Sequence, residues 1–139
     1  MEALYTASAT ATGDGRNGHV RSADGVLDFD LVVPKEMGGP GGALTNPEEL
    51  FAAGYAACFH SALKAAARLA KVTLTDTAIT IDIGVGRNDT GGFGLKAAIE
   101  AEINGVDEAT AHQLLETAHQ LCPYSNATRG NIEVQLTLA

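Results

Sequence analysis

The sequence contains no tryptophan, and phenylalanine and tyrosine together supply only seven of its 139 residues. Without large aromatic rings, a core must be filled by alanine, leucine, valine and isoleucine with closely approaching backbones, and the 16 glycines suit such packing. Hydrophobic residues make up 45% of the chain, and a chain near this length buries roughly two thirds of its unfolded surface. We therefore expect a single domain over residues 1–139.

Positive charge is also scarce, because 9 Lys and Arg residues stand against 17 Asp and Glu residues, a net charge of −8. Nucleic acids and anionic membranes select basic surfaces, so this composition argues against both as partners. No apolar run reaches the roughly 18 to 20 residues of a membrane helix. The first residues also lack the basic and apolar segments of a secretory signal. These absences predict a cytoplasmic protein.

Cysteine occurs only twice, at Cys58 and Cys122. A reducing cytoplasm does not favour a permanent structural disulfide between two such residues. Two interpretations remain open from composition alone. Either the thiols cycle as a redox pair, or they are unrelated buried residues that act as small apolar side chains.

The N-terminal third has the pattern of a β-meander. Residues 3–11 are rich in Thr and Ala, and a glycine-rich loop at 13–18 carries Arg16 at its tip. The next two strands are predicted at 19–22 and 26–33, because Asp24-Gly25 between them is a hairpin signal.

The remainder of the chain alternates helical and strand patterns. Asn46 and Pro47 predict a helix start, followed by a largely apolar helix to about residue 70. Period-two alternation predicts a hairpin from strands at 77–85 and 95–103 and a final strand at 132–138. Between the hairpin and the final strand, Asp107 caps a helix that runs to about residue 121 and is ended by Pro123. The fold class is therefore α+β, with a meander, a long central helix, a hairpin, a second helix and a last strand.

The two cysteines fall on the two predicted helices. If these helices pack side by side on one sheet, the sulfurs could meet within the about 4.4 to 6.8 Å Cα separation that a disulfide allows. A thiolate can attack a peroxide and become a sulfenic acid, with which a neighbouring thiol condenses. The attacking thiol needs a positive neighbour, since a free thiol with a pKa of about 8.5 is mostly protonated at neutral pH. Arg16 is the candidate cation, because a guanidinium can contact sulfur, peroxide and carboxylate together.

The sequence resembles the organic hydroperoxide resistance branch of the OsmC-like superfamily over essentially its whole length. The resemblance rests on YTA at 5–7, Gly15-Arg16, LTNPEELFAAGYAACF at 44–59 and CPYSNA at 122–127. It implies an OsmC-like fold in an intertwined homodimer that acts as an antioxidant peroxidase, an oxidoreductase that reduces organic hydroperoxides during oxidative stress. It also implies that Cys58 is the peroxidatic and Cys122 the resolving cysteine of a redox-active disulfide, with Arg16 and Glu48 tuning the thiolate. No bound cofactor is implied, and the electron donor is the dihydrolipoyl dithiol of a lipoylated protein. Glu49 stands where such proteins often have Gln.

The spacing of Glu48 and Cys58 raises a question that the resemblance leaves open. Ten residues on one straight helix correspond to about 15 Å along its axis, too far for both groups to share one guanidinium. Either the helix breaks near Gly54, or the two groups meet across subunits. We favour the second hypothesis, in which Glu48 of one subunit serves Cys58 of the other.

A preference for organic peroxides would follow from an apolar cleft, since each buried CH₂ contributes about 0.8 kcal/mol of binding. The apolar side chains that we predict to line this substrate pocket are Phe51, Phe59, Tyr124, Met37 and Phe93. Any one of them could instead be an ordinary core residue.

Four other functions compete with this interpretation. A zinc site from Cys58, His60, His119 and Cys122 is disfavoured because Cys58 and His60 face opposite sides of a helix, so we expect no metal. A Cys-His hydrolase would need a base such as His19, His112 or His119. A dimeric ligand-binding domain with inert cysteines and an OsmC-branch peroxidase are the other two. Thiol consumption by an alkyl hydroperoxide separates the peroxidases from the rest, and relative rates with hydrogen peroxide separate the two branches.

Overall fold

In the computed structural model, which describes all 139 residues, the chain forms three α-helices and two three-stranded β-sheets. This confirms the predicted α+β class. The residues group into two compact units, Met1–Leu50 and Phe51–Ala139. None of the helices combines the length and the apolar character that crossing a membrane requires.

The first unit is built on an antiparallel sheet in the order β1 (Ala9–Thr12), β2 (His19–Ser22) and β3 (Asp28–Asp30). The predicted meander is confirmed, and Gly25 supplies the left-handed backbone of the turn before β3, with φ at 74°. The third strand is shorter than the predicted 26–33. After Asp30 the chain leaves the sheet, and its next residue, Leu31, forms an isolated parallel bridge with Thr45.

Helix α1 (Pro47–Ala70) begins and ends where the sequence predicts, and it continues through Gly54 without a break. The Asn46 side chain caps it by accepting a hydrogen bond from the Glu49 backbone N–H at 2.8 Å. The Glu49 carboxylate accepts in return from the Asn46 side-chain amide at 3.2 Å, which gives Glu49 a capping role. Lys71, with φ at 57°, ends the helix in the left-handed region.

The second unit contains a mixed sheet in the order β4 (Thr77–Arg87), β5 (Phe93–Ile103) and β6 (Glu133–Leu138). The predicted hairpin is confirmed by the antiparallel pairing of β4 with β5, whereas β6 lies parallel to β5. One face of α1, the sheet and α2 (Glu108–Leu121) share a single apolar core. Its large fully buried apolar side chains are Tyr55, Phe59, Leu63, Ile99 and Leu114.

The end of α2 differs from the prediction in one respect. Asp107 caps the helix by accepting from the Thr110 backbone N–H at 2.7 Å, and α2 ends at Leu121 as expected. Pro123 ends that helix but also opens another, α3 (Pro123–Thr128), because proline suits the first position of a helix. Cys122 lies between the two helices in an extended conformation, with φ at −67° and ψ at 122°.

Candidate active site

The structure brings the two cysteines together inside the second unit. Cys58 lies partly buried on α1, and Cys122 is completely buried in the link between α2 and α3. Both are free thiols, and Cys122 lies close enough to Cys58 to contribute to the raised pKa of the Cys58 thiol. The two cysteines, distant in sequence, are therefore neighbours in the folded chain.

Three influences act on the Cys58 thiol. Burial is the largest and raises its pKa, hydrogen bonding from the Tyr124 backbone N–H lowers the pKa, and the neighbouring Cys122 raises it. The net effect is a raised pKa. The Tyr124 N–H is thus the stabiliser of the thiolate within this unit, and a reactive thiolate requires more positive charge than one N–H supplies.

A cavity of about 630 Å³ opens beside Cys58. Cys58, Ser61, Ala62, Ala65 and Leu69 follow one stripe of α1 at spacings of three, four, seven and eleven residues, so small side chains form its floor. Its other lining residues are Arg68, Leu121 and Pro123. The cavity is therefore mostly apolar, with one guanidinium among its lining residues.

The five residues predicted for the substrate pocket do not line this cavity. Phe51 and Tyr124 meet edge to face, with ring centroids 6.0 Å apart, and Phe59 is completely buried in the core. Met37 is exposed in the first unit, and Phe93 is exposed where β5 begins. Their role in the substrate pocket stays a prediction.

Sequence reasoning missed the residues that do line the cavity beside Cys58. The stripe of Ser61, Ala65 and Leu69 at helical spacing from Cys58 was the available signal on α1. Leu121 and Pro123 carried no such signal, because they lie at the end of α2 and reach the cavity only when that helix packs beside α1.

Arg16 and Glu48 form a bidentate ion pair in the first unit, with distances of 2.8 Å from Nη1 to Oε2 and 2.7 Å from Nη2 to Oε1. Arg16 projects from a 3₁₀ turn, Gly15–Asn17, and the Asn17 side chain anchors this turn by accepting from the Val33 backbone N–H at 3.0 Å. The Arg16 hydrogen bonds lower the pKa of Glu48, and Glu48 raises the pKa of Arg16. Both groups therefore stay charged, and the two parallel hydrogen bonds fix the orientation of the Arg16 guanidinium.

The histidines considered for alternative functions have other partners. His60 bonds to Thr77 at 2.7 Å, and His119 bonds through Nδ1 to the Ser125 hydroxyl at 2.8 Å. His19 lies between Asp28 and Asp30 on the exposed sheet, and His112 lies 3.7 Å from Glu108. No cluster of three or more His, Cys, Asp or Glu side chains has the arrangement of a metal site.

The fold is α+β, and a cysteine on its long central helix has a second, buried cysteine as a neighbour. Residues 39–137 match the family described as OsmC-like protein. The chain is 53% identical to the organic hydroperoxide resistance protein of Xanthomonas axonopodis pv. citri, over 98% of this chain and 95% of that one. It is 45% identical to OhrB of Bacillus subtilis, over 98% of each chain. A crystal structure of an organic hydroperoxide resistance protein from Elizabethkingia anophelis superposes with a TM-score of 0.95 at 54% identity, covering 100% of this chain and 99% of that one. The chain therefore belongs to the OsmC-like family and, within it, to the organic hydroperoxide resistance proteins, which confirms the resemblance found in the sequence.

Proposed function

We propose that this protein is a cytoplasmic cysteine-based peroxidase that reduces organic hydroperoxides to alcohols and protects the cell against oxidative stress. The observation that supports this most directly is the proximity of the Cys58 thiol to the buried Cys122 thiol, which contributes to the raised Cys58 pKa. The names of the similar proteins support the same substrate class, since they are described as organic hydroperoxide resistance proteins.

The proposed reaction has two steps within one chain. The Cys58 thiolate attacks the outer peroxide oxygen, the O–O bond breaks, and the alkoxide leaves as an alcohol after taking up a proton. The Cys58 sulfenic acid then condenses with the Cys122 thiol, which forms a disulfide and releases water. The two electrons that reduce the peroxide therefore come from the two thiols.

A dithiol must return these electrons, and the proposed donor is the dihydrolipoyl group of a lipoylated protein. Thiol–disulfide exchange converts the Cys58–Cys122 disulfide to two thiols and the dihydrolipoyl group to its cyclic disulfide. Turnover of cumene hydroperoxide with dihydrolipoamide, thioredoxin or glutathione tests this step. We expect turnover with dihydrolipoamide to exceed that with the other two by at least tenfold, and equal turnover with all three would exclude the dithiol as the specific donor.

The cavity beside Cys58 supports a preference for organic over inorganic peroxides. Its leucine, alanine and proline lining can bury the alkyl group of a substrate, which adds about 0.8 kcal/mol per CH₂, whereas hydrogen peroxide has no such group. Comparable kcat/KM values for tert-butyl hydroperoxide and hydrogen peroxide would contradict this preference.

Activation of Cys58 is proposed to come from the Arg16–Glu48 ion pair of a partner subunit. Helix α1 is unbroken between Glu48 and Cys58, so the helix break that would have allowed a contact within one helix is not present. The two groups are ten residues apart, which is about 15 Å along the axis. An intertwined homodimer would supply the ion pair of one subunit to the thiol of the other.

The exposure of the first unit supports such a dimer. Eight of the twelve large hydrophobic side chains that are exposed in the single chain belong to residues Met1–Leu50. They include Tyr5, Val26 and Phe29, with 81%, 78% and 41% of their surface exposed. Apolar surface of this extent in a soluble protein commonly marks an interface.

Complementation between two inactive variants tests the exchange of groups between subunits. Glu48→Gln and Cys58→Ser chains are coexpressed with different tags, and the mixed dimer is isolated by two affinity steps. One site of this dimer combines the intact Cys58 of one chain with the intact Arg16–Glu48 pair of the other, so we expect about half of the wild-type rate of first oxidation. A mixed dimer as slow as the Glu48→Gln homodimer would mean that Glu48 acts within its own chain.

A further inference from the structure

A buried hydroxyl network joins the three helices of the second unit. The Tyr55 hydroxyl on α1 lies 2.9 Å from the Ser125 hydroxyl and 3.2 Å from the Thr128 hydroxyl, both on α3. The Ser125 hydroxyl also lies 2.8 Å from Nδ1 of His119 on α2. Tyr55 and Ser125 are completely buried, and Thr128 is 1% exposed. Buried polar groups of this kind are costly unless every one is paired, and here each has a partner.

The hydrogen atoms of this network can be assigned in one direction. The Thr128 hydroxyl donates to the Ser125 carbonyl at 3.2 Å, so its oxygen is left to accept from the Tyr55 hydroxyl. With the His119 tautomer that carries its proton on Nδ1, the Ser125 hydroxyl accepts from Nδ1–H and donates to the Tyr55 oxygen. In this arrangement each hydroxyl donates once, so displacement of any member leaves a buried polar group without a partner.

The network includes one residue close in sequence to each of the two cysteines. Tyr55 precedes Cys58 by three residues on α1, and Ser125 follows Cys122 by three residues along the chain. Between Cys122 and Ser125 lies Tyr124, whose neighbour Pro123 lines the same cavity as Cys58 and whose backbone N–H lowers the pKa of the Cys58 thiol. The hydrogen bond between Ser125 and Tyr55 therefore also fixes the adjacent Tyr124 backbone N–H, which is the backbone donor near the Cys58 sulfur.

A second contact holds Tyr124 from the other side. Its ring stacks on the Tyr55 ring, with centroids 5.5 Å apart and planes 30° apart. Its hydroxyl lies against α1 at Gly54, where a Cβ atom would stand only 2.8 Å from Oη. A glycine inside a helix costs stability. Here a larger residue would clash with the Tyr124 hydroxyl, which explains the glycine at this position.

We propose that Tyr55 and Ser125 are positioning residues, whose hydroxyl network holds the Tyr124 backbone N–H against the Cys58 sulfur. The N–H stabilises negative charge on that sulfur, first in the thiolate and then in the sulfenate that peroxide attack produces. This inference rests on the proposed peroxidase function for its purpose, but the positioning itself can be measured on the thiol without peroxide.

Few other titratable groups of this unit surround the centre, and the Arg16–Glu48 pair proposed to reach it from a partner subunit is the same in every variant compared below. Cys122 contacts the sulfur, Arg68 lines the adjacent cavity, and His119 belongs to the network. Burial and the nearby Arg129 lower the pKa of His119, which favours the neutral imidazole. The sheet contributes apolar side chains to the core beneath, among them Ile81 and Ile99.

Tyr55→Phe tests the proposal, because it removes one hydroxyl and preserves the ring stack. The rate of Cys58 alkylation by iodoacetamide is measured from pH 5 to pH 11 in a Cys122→Ser background, with and without the substitution. Alkylation follows the thiolate fraction, so we expect Tyr55→Phe to slow it about three- to tenfold at neutral pH. The two rates should converge at high pH, where Cys58 is ionised in both proteins.

Ser125→Ala provides a second variant that removes the central hydroxyl, and it decides the question if Tyr55→Phe does not fold by circular dichroism. Thr117→Val is the matched control, since its hydroxyl donates to the Gln113 carbonyl on the exposed face of α2. An unchanged pH profile, or slowing by the same factor at every pH, would overturn the proposal. If the alkylation profile shifts as expected but the unsubstituted protein does not turn over alkyl hydroperoxide, the positioning stands and the peroxidase function alone fails.

Discussion

The two units of this chain are stabilised in different ways. Residues Phe51–Ala139 enclose an apolar core with one buried and one partly buried thiol and a fully paired hydroxyl network. In residues Met1–Leu50, only Leu31 and Val32 are buried, and the sheet carries polar pairs such as His19 with Asp30. The second unit thus holds both sulfurs, whereas the first holds a charged pair and exposed apolar side chains.

This difference suggests complementary roles for the two units under the proposed function. A buried environment protects a sulfenic acid but raises the pKa of the thiol that must form it. An arginine held by a carboxylate on a more exposed unit can supply the missing positive charge. Under the proposed dimer, each unit provides what the other lacks.

The largest expected effect concerns the thiols of the second unit. Cys58→Ser should abolish peroxide reduction, because serine cannot supply the attacking thiolate. Cys122→Ser should allow one oxidation and then stall at sulfenic acid or proceed to sulfinic acid. Mass spectrometry of each variant after peroxide treatment checks this, and a single oxidation that survives in Cys58→Ser would reverse the two roles.

The next effect tests the core of the same unit. Leu114 is 2% exposed on α2, so Leu114→Ala should lower the free energy of unfolding by about 2 to 5 kcal/mol. Urea denaturation measures this loss. Leu4→Ala, at a fully exposed position of the first unit, is the control and should change the free energy of unfolding by less than about 0.5 kcal/mol. Similar losses in both variants would contradict the contrast between the units.

A smaller effect is expected from the charged pair of the first unit. Arg16→Ala should slow the first oxidation of Cys58 by about 10- to 100-fold, as expected for one lost charge partner of a thiolate. Circular dichroism should show little change. Arg21→Ala is the matched control, because Arg21 is an exposed arginine with only a 3.8 Å contact to Asp28. Equal rates in the two variants, measured by stopped-flow fluorescence or thiol titration, would remove Arg16 from the site.

The smallest effect is the pH dependence of the polar pairs of the first unit. Asp30 and Asp28 raise the pKa of His19, so the stability it contributes is present below its unfolded pKa and lost as pH rises through its folded pKa. Glu48 behaves oppositely, because Arg16 lowers its pKa and its contribution is lost as pH falls. His19→Gln should therefore lower Tm in mildly acidic buffer and not in alkaline buffer, with His112→Gln as the control. A Tm difference that grows as pH rises would contradict the assignment.

Local signals in the sequence predicted much of the fold. Asn46 and Asp107 both cap helices where expected, since a capping side chain acts on backbone groups two or three residues away. The strand predicted at 26–33 was too long because its continuation was set by a partner distant in sequence, Thr45, rather than by its own alternation. The helix that begins at Pro123 was missed because proline was considered only as a terminator.

The candidate site was predictable only in part, because it depends on contacts between distant segments. Cys122 lies near enough to affect the pKa of Cys58, and Arg16 pairs with Glu48. The 64 and 32 residues that separate the members of these pairs give no local signal. The hydroxyl network was not foreseen, since Tyr55 and Ser125 look like ordinary helix residues until the helices are packed. The catalytic roles of these residues stay predictions.

The central claim is that Cys58 and Cys122 form one peroxide-driven redox couple, and disulfide mapping tests it most directly. The reduced protein receives one equivalent of tert-butyl hydroperoxide and is then alkylated, digested and analysed by mass spectrometry. We predict a peptide pair linked through Cys58 and Cys122 within a single chain, with both thiols protected from alkylation. Recovery of both cysteines as alkylated thiols, or of a Cys58 sulfinic acid beside an unmodified Cys122, would contradict the account.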